Sequence, residues 1–103
     1  MDLQNFSTLH NYIGGNIQAP ISGNYLDAIN PATGECYGKI AASNKADVDA
    51  AVNAAQHAFP IWSKTPVEER FKIMNRIAEL IDTHLDDLAL AETTDNGKPL
   101  WLS

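Results

Sequence analysis

The sequence predicts an α/β fold in which short strands and turns over residues 11–42 precede three helices over residues 43–96. Five of the six glycines precede Ser43 and separate short apolar groups, a pattern typical of strands joined by tight turns. After Ser43, apolar residues recur at the three- and four-residue intervals of a helix face. We interpret residues 1–10 as a tail and residues 97–103 as the start of a further element that the sequence does not complete.

The predicted strands cover residues 11–14, 25–29 and 36–41. The last two form a hairpin, because Asn30-Pro31-Ala32-Thr33-Gly34 between them has the composition of a tight turn. Asn30 can accept a hydrogen bond from the backbone ahead of it, and Gly34 can adopt a positive φ. Gly14-Gly15 is interpreted as a turn after the first strand.

The first predicted helix begins after Ser43 or Asn44, either of which can cap it. Asp47 falls in its first turn, where the helix dipole favours an acid. We expect Pro60 to end it, because proline lacks the N–H that continues a helix. The expected buried face consists of Val48, Ala51, Val52, Ala55 and Phe59.

Two further helices follow the first. Thr65-Pro66-Val67-Glu68 predicts a capping box with its proline at the first helical position. We expect Thr83 to cap a third helix that runs through Glu92, with Gly97 ending the helical region. The second helix is expected to bury Phe71, Met74, Ile77, Ala78 and Ile81, and the third Leu85, Leu88 and Ala89.

Arg70 lies one turn into the second predicted helix. Two groups of acceptors are open to its guanidinium: nearby carbonyl groups, or the acids Asp86 and Asp87 at the start of the third helix. The sequence does not distinguish these alternatives.

The composition excludes several classes of protein. Seven Lys and Arg against 13 Asp and Glu give a net charge of −6, which disfavours binding to nucleic acid or to an anionic membrane. The first ten residues contain no basic residue, and no apolar run is long enough for a signal sequence or a bilayer span. The single cysteine, Cys36, excludes an internal disulfide. A cytoplasmic location is the default expectation.

The residues form no catalytic constellation. Gly97-Lys98 is not a phosphate-binding P-loop, because the required glycine before it and the Ser or Thr after it are absent. His10, His57 and His84 have no metal-ligand spacing. Cys36 lies in a predicted strand beside an acid, not at a helix N-terminus or next to a cation, so we expect a small packing residue and not a nucleophile.

Six short motifs follow one another along residues 11–103. They are Asn11-Tyr12-Ile13-Gly14-Gly15; Asp27-Ala28-Ile29-Asn30-Pro31-Ala32-Thr33-Gly34-Glu35; Asp47-Val48-Asp49-Ala50-Ala51-Val52 with Ala54-Ala55, Ala58-Phe59 and Trp62-Ser63; Glu68-Glu69-Arg70; Ile77-Ala78; and Glu92-Thr93-Thr94-Asp95-Asn96-Gly97-Lys98-Pro99. In this order they resemble the N-terminal part of the coenzyme-binding domain of NAD(P)-dependent aldehyde dehydrogenases.

The resemblance implies an enzyme that oxidises aldehydes to carboxylic acids. The family's cysteine nucleophile, its glutamate base and the turn that binds the phosphates of NAD or NADP lie downstream of the matching segment. We therefore expect no catalytic or coenzyme-binding residue here, and we expect the fragment alone to be inactive. A homodimer or homotetramer is expected for the full-length protein, with no nucleic-acid or membrane partner.

The resemblance also implies one binding site. Some family members hold K⁺ or Na⁺ with backbone carbonyls just before the Asn-Pro turn and with the aspartate just before Gly-Lys. The corresponding residues here are Ala28, Ile29 and Asp95. Hard cations bind oxygen ligands of this kind. The alternative is that Asp95 only caps the end of the third helix.

The sequence leaves open the branch of the family and the choice between an enzyme segment and a module without activity. Cys36-Tyr37-Gly38-Lys39 and Ala58-Phe59-Pro60 resemble the branch acting on 2-aminomuconic and 2-hydroxymuconic semialdehydes, with betaine-aldehyde dehydrogenases as the neighbouring branch. The alternative to an enzyme segment is a standalone helical interaction or scaffold module without activity. The apolar ending Leu100-Trp101-Leu102 favours the enzyme segment.

Overall fold

The structure, a computed structural model, describes residues 8–103. They fall into two compact units, one of residues 8–28 and Cys36–Lys64 and the other of Ile29–Glu35 and Thr65–Ser103. The elements are, in chain order, β1 (Thr8–Leu9), β2 (Asn11–Ile13), β3 (Asn16–Gln18), β4 (Tyr25–Ile29), β5 (Cys36–Ala41), α1 (Lys45–Trp62), α2 (Val67–Thr83), α3 (Leu85–Asn96) and a 3₁₀ helix (Leu100–Leu102). The predicted order of strands followed by three helices is confirmed.

The strands form two small sheets. In the first, β5 lies between β1 and β4, with β1 parallel to β5. Backbone hydrogen bonds join Asn30, after the end of β4, to Glu35, before the start of β5, and join Asn24, before β4, to Ala42, after β5. The two strands therefore run in opposite directions and form an antiparallel hairpin. In the second sheet β2 pairs with β3 across the Gly14-Gly15 turn, where both glycines have positive φ.

Two strands were missed by the sequence interpretation. Thr8 and Leu9, assigned to the tail, form β1 by pairing with Lys39 and Ile40. Residues 16–18 form β3, a strand too short to give an alternating pattern. The remainder of the predicted tail, residues 1–7, lies outside the described residues.

A buried carboxylate fixes the beginning of α1. Asn44 is the N-cap, and its side chain accepts from the backbone N–H groups of Ala46 and Asp47. Asp47 completes a capping box by accepting from Asn44 N at 2.9 Å, and its other oxygen accepts from Ile21 N at 2.9 Å. The carboxylate is 4% exposed and joins the loop before β4 to the helix. Of the two caps proposed from sequence, Asn44 is confirmed.

Pro60 does not end α1, contrary to the expectation. The helix continues to Trp62 with Pro60 inside it, and Ser63 N still donates to Phe59 O at 2.8 Å. Proline has a helical φ and removes only its own hydrogen bond, so a proline in the last turn leaves the neighbouring bonds in place.

The junctions of α2 and α3 also differ from the prediction. Pro66 occupies the cap position before α2 and is not its first helical residue. Thr83 is the last residue of α2 and not the cap of α3, and its hydroxyl donates to Glu79 O at 2.9 Å. His84 separates the two helices, and α3 extends past Glu92 to Asn96.

The end of α3 contacts the turn between β4 and β5 within the second unit. Gly97 is a left-handed C-cap with φ of 77°, as the sequence predicted. A Cβ at this position would lie 3.2 Å from Pro31 Cγ. The turn itself is closed by Gly34 N donating to Asn30 O at 2.7 Å, and Asn30 Oδ1 accepts from Ala32 N as expected.

The predicted buried helix faces are exposed in this chain. Among residues 8–103, the buried apolar residues are Pro20 and Ala28, which is 8% exposed. Leu88 and Ala89 are half-buried. The exposed residues of the predicted faces are Val48, Ala51, Val52, Ala55 and Phe59 in α1, Phe71, Met74, Ile77, Ala78 and Ile81 in α2, and Leu85 in α3. A chain of this size buries too little surface to cover three amphipathic helices.

We expect the isolated 103-residue chain to unfold without a cooperative transition, because burial of apolar surface is the main favourable term in folding. Scanning calorimetry tests this expectation. A sharp heat-absorption peak with an enthalpy of about 70 kcal/mol, the value for an ordinary domain of this length, would contradict it.

Candidate cation site

Two of the three predicted cation ligands are adjacent at the end of β4. Ala28 is buried in the first unit, and Ile29 ends the strand and begins the second unit. The resemblance assigns ligand roles to their backbone carbonyls only, so the apolar side chains are compatible with the site.

Asp95, the third predicted ligand, lies in the last turn of α3 with its side chain exposed. The alternative role proposed for it was capping of this helix end. A hydrogen bond of that kind is made by the next residue, since Asn96 Oδ1 accepts from Lys98 N at 2.8 Å. This bond shows that Asn96 stabilises the chain immediately after α3.

Within the second unit, the turn after β4 contacts the end of α3. The turn that begins directly after Ile29 contacts the end of α3 through Pro31 and Gly97. Asp95 is two residues before that contact and Ile29 two residues before the proline. The separation along the chain is therefore bridged by packing of the turn on the helix end.

Asp27, the residue before Ala28, forms an ion pair with Lys39. The Asp27 carboxylate lies 2.8 Å from Lys39 Nζ on the exposed side of the β4–β5 hairpin. The hydrogen bond from Lys39, followed by its charge, lowers the pKa of Asp27, and the same contact raises the pKa of Lys39. Both side chains are more than half exposed, so the pair contributes little to stability.

Cys36 is exposed, which corrects the expectation of a packing residue. Its thiol contacts the carbonyl oxygen of Gly38 at 3.2 Å. It is the first residue of the strand β5 and does not lie in a helix.

Among residues 8–103, no three His, Cys, Asp or Glu side chains converge as a metal-binding group. An open groove of about 210 Å³ in the first unit is below the range of small-molecule sites. It is lined by Asn11, Tyr12, Ile13, Ser43, Asp47, Val48 and Ala51. No described helix is long and apolar enough to cross a membrane.

Two polar groups are shielded from solvent without a hydrogen-bond partner among the described residues. They are Asn11 Nδ2 and Arg70 Nε. The described ion pairs are Lys39–Asp27, Lys45–Asp49 and Arg76–Glu79, so Arg70 does not pair with Asp86 or Asp87. No periodicity or motif signals an unpaired donor, because pairing depends on distant groups.

Sequence comparison identifies relatives of one kind. The model of the aldehyde dehydrogenase family matches residues 18–103. A fluoroacetaldehyde dehydrogenase from Streptantibioticus cattleyicolor is 48% identical over 90 residues, which are 87% of this chain and 18% of that protein. A 2-aminomuconic semialdehyde dehydrogenase from Mus musculus is 42% identical over 95 residues, covering 92% of this chain and 19% of that protein. These identities do not single out the muconic semialdehyde branch.

Solved structures give the same result. HpcC from Thermus thermophilus superposes with a TM-score of 0.91 at 39% identity, covering 97% of this chain and 19% of that one. A betaine aldehyde dehydrogenase from Staphylococcus aureus, solved in complex with NAD⁺, superposes with a TM-score of 0.91 at 33% identity, covering 97% of this chain and 20% of that one. The arrangement of strands followed by three helices is therefore that of the N-terminal region of these enzymes.

The chain spans 18% and 19% of the length of these two curated relatives. Within that span the family model matches 86 consecutive residues, from 18 to 103. The chain belongs to the aldehyde dehydrogenase family.

Proposed function

We propose that this chain is the N-terminal scaffold segment of an NAD(P)-dependent aldehyde dehydrogenase that oxidises aldehydes to carboxylic acids. The observation that supports this most directly is the family match over residues 18–103. The superposition on the Thermus structure supports it independently, because a TM-score of 0.91 requires the same path of the backbone.

In this proposal the segment has a structural role and supplies no reacting group. The reaction of this family needs a thiolate nucleophile, a base that activates water, and NAD or NADP, which accepts the hydride when bound. Cys36, the single cysteine, is exposed at the start of a strand. We therefore assign the nucleophile, the base and the coenzyme contacts to the part of the full-length enzyme that this chain does not include.

The substrate proposal is limited to the class of aldehydes. The proteins that the chain matches are named for fluoroacetaldehyde, acetaldehyde and 2-aminomuconic semialdehyde, and they differ by only a few per cent in identity to it. Such different substrates on similar N-terminal segments indicate that specificity is determined elsewhere. We also propose a homodimer or homotetramer for the full-length enzyme.

A chimera tests the proposed function. In it, this chain replaces the 90 matched residues of the Streptantibioticus enzyme. We expect fluoroacetaldehyde-dependent reduction of NAD within about tenfold of the parent enzyme, because a segment with the same backbone path leaves the catalytic groups in place. A graft that displaced them by only ~1 Å would lower the rate by about a hundredfold. The isolated chain is the control and is expected to be inactive. An inactive or unfolded chimera would contradict the proposal, as would aldehyde oxidation by the isolated chain.

We further propose that the carbonyls of Ala28 and Ile29, with the Asp95 carboxylate, bind K⁺ or Na⁺ in the full-length enzyme. The contact of the Asn30 turn with the end of α3 supports this, and so does the oxygen-only donor set.

K⁺ and Na⁺ should therefore raise the melting temperature of the chimera relative to a large organic cation at the same ionic strength. Asp95→Asn should abolish this difference, because it removes the one charged ligand. Asp86→Asn, at an exposed acid in the first turn of the same helix, is the matched control and should retain it. Indifference of the unsubstituted chimera to the cation would disprove the site.

The scaffold role depends on the buried carboxylate of Asp47. Asp47→Ala removes the acceptor for Ile21 N and Asn44 N, and each bond to a charged group contributes about 1.5–3 kcal/mol. We expect the melting temperature of the chimera to fall by about 3–6 °C. Asp49→Ala, which removes only the exposed pair with Lys45, should change it by less than about 1 °C. Equal effects of the two substitutions would show that the buried bonds do not hold the segment.

A further inference from the structure

Arg70 is a cation of the second unit with one buried donor that lacks a hydrogen-bond partner among the described residues. It lies in the first turns of α2, is half-buried, and has an Nε that is shielded from solvent without a hydrogen-bond partner among residues 8–103. A guanidinium is always charged, so it cannot reduce the cost of this environment by losing a proton. Burying a charged donor without an acceptor is unfavourable, which indicates that an acceptor belongs at this position.

The surroundings of Arg70 on α2 are apolar and uncovered. Residues three before it and four, seven and eleven after it share its face of the helix. They are Val67, Met74, Ile77 and Ile81, with exposures of 66%, 61%, 45% and 47%. Arg70 is thus the single charged residue within an apolar stripe, near its N-terminal end.

The chemistry of this stripe specifies what covers it. Apolar side chains must meet Met74 and its neighbours, and a group that accepts hydrogen bonds from a guanidinium must meet Arg70. Once the stripe is covered, a carboxylate is favoured over a neutral carbonyl, because it also compensates the buried positive charge.

We propose that the acceptor is the carboxylate of an Asp or Glu on a segment that follows Ser103 in the full-length enzyme, and that this ion pair fixes where that segment packs on α2. The inference rests on the proposed function. The relatives extend over about five times the length of this chain, as its 18% and 19% shares of them show, so chain is available to cover the stripe. A second copy fits less well, because each copy of the segment carries a net charge of −6.

The test uses the chimera with the Streptantibioticus enzyme and compares two arginines of the same helix. Arg70→Met removes the charge at the stripe while keeping an unbranched apolar side chain. Arg76→Met is the matched control, because Arg76 is 66% exposed and pairs with Glu79 at 3.4 Å on the surface. We expect Arg70→Met to lower the melting temperature by about 5 °C or more, and Arg76→Met by less than about 1 °C.

Arg70→Lys provides a second variant in case the methionine variant does not fold. It keeps the charge but loses the planar fork, so its loss should be intermediate. A crystal structure of the unsubstituted chimera should show a carboxylate oxygen from beyond the grafted segment within 4 Å of the guanidinium.

Equal melting temperatures of the Arg70→Met and Arg76→Met variants would overturn the proposal. So would a crystal structure in which Arg70 contacts only water, a backbone carbonyl or another subunit. These outcomes are separable from failure of the proposed function, which is measured by NAD reduction in the unsubstituted chimera.

Discussion

The carboxylate of Asp47 joins parts of the first unit that are 26 residues apart in sequence. It accepts from Ile21 N in the loop before β4 and from Asn44 N at the start of α1. Because the same side chain satisfies a helix end and a loop, the start of α1 and the path into the β4–β5 hairpin are fixed together. Few of the described side chains are buried. The hydrogen bonds of Asp47 therefore determine much of how the loop before β4 and the start of α1 are arranged.

The exposed apolar surface of the three helices indicates that this segment packs against other parts of a protein. All three helices carry apolar residues at helical spacing, yet large side chains on each are exposed. A folded protein rarely leaves several continuous apolar faces in water, since burial of such surface is the main gain on folding. The helices therefore have a pattern typical of packing on partners, and the relatives, at about five times the length of this chain, have further residues with which such a segment can pack.

The sequence predicts those features that depend on nearest neighbours. The Asn30 turn, the Asn44 cap and the Gly97 helix end are each determined by residues within a few positions, and each is confirmed. The errors occur where two local preferences compete. Pro60 favours a helix end but lies in a last turn that tolerates it, and the Thr83 hydroxyl bonds back to Glu79 rather than forward. The pairing of β1 with β5 joins residues 31 positions apart, and no local pattern reports such a contact.

The same division explains why this segment identifies its family. The motifs shared with aldehyde dehydrogenases are turns, caps and helix ends, and their residue types are constrained by backbone geometry: a glycine at φ of 77° beside Pro31, an asparagine that accepts from its own turn, an acid that completes a capping box. Such constraints follow from the fold and not from the substrate, so a change of aldehyde does not require a change of these residues. Arg70 differs from these residues, because its Nε has no hydrogen-bond partner among residues 8–103. Because a buried guanidinium needs an acceptor, the position of Arg70 indicates where a hydrogen-bond acceptor from another part of the full-length protein is expected.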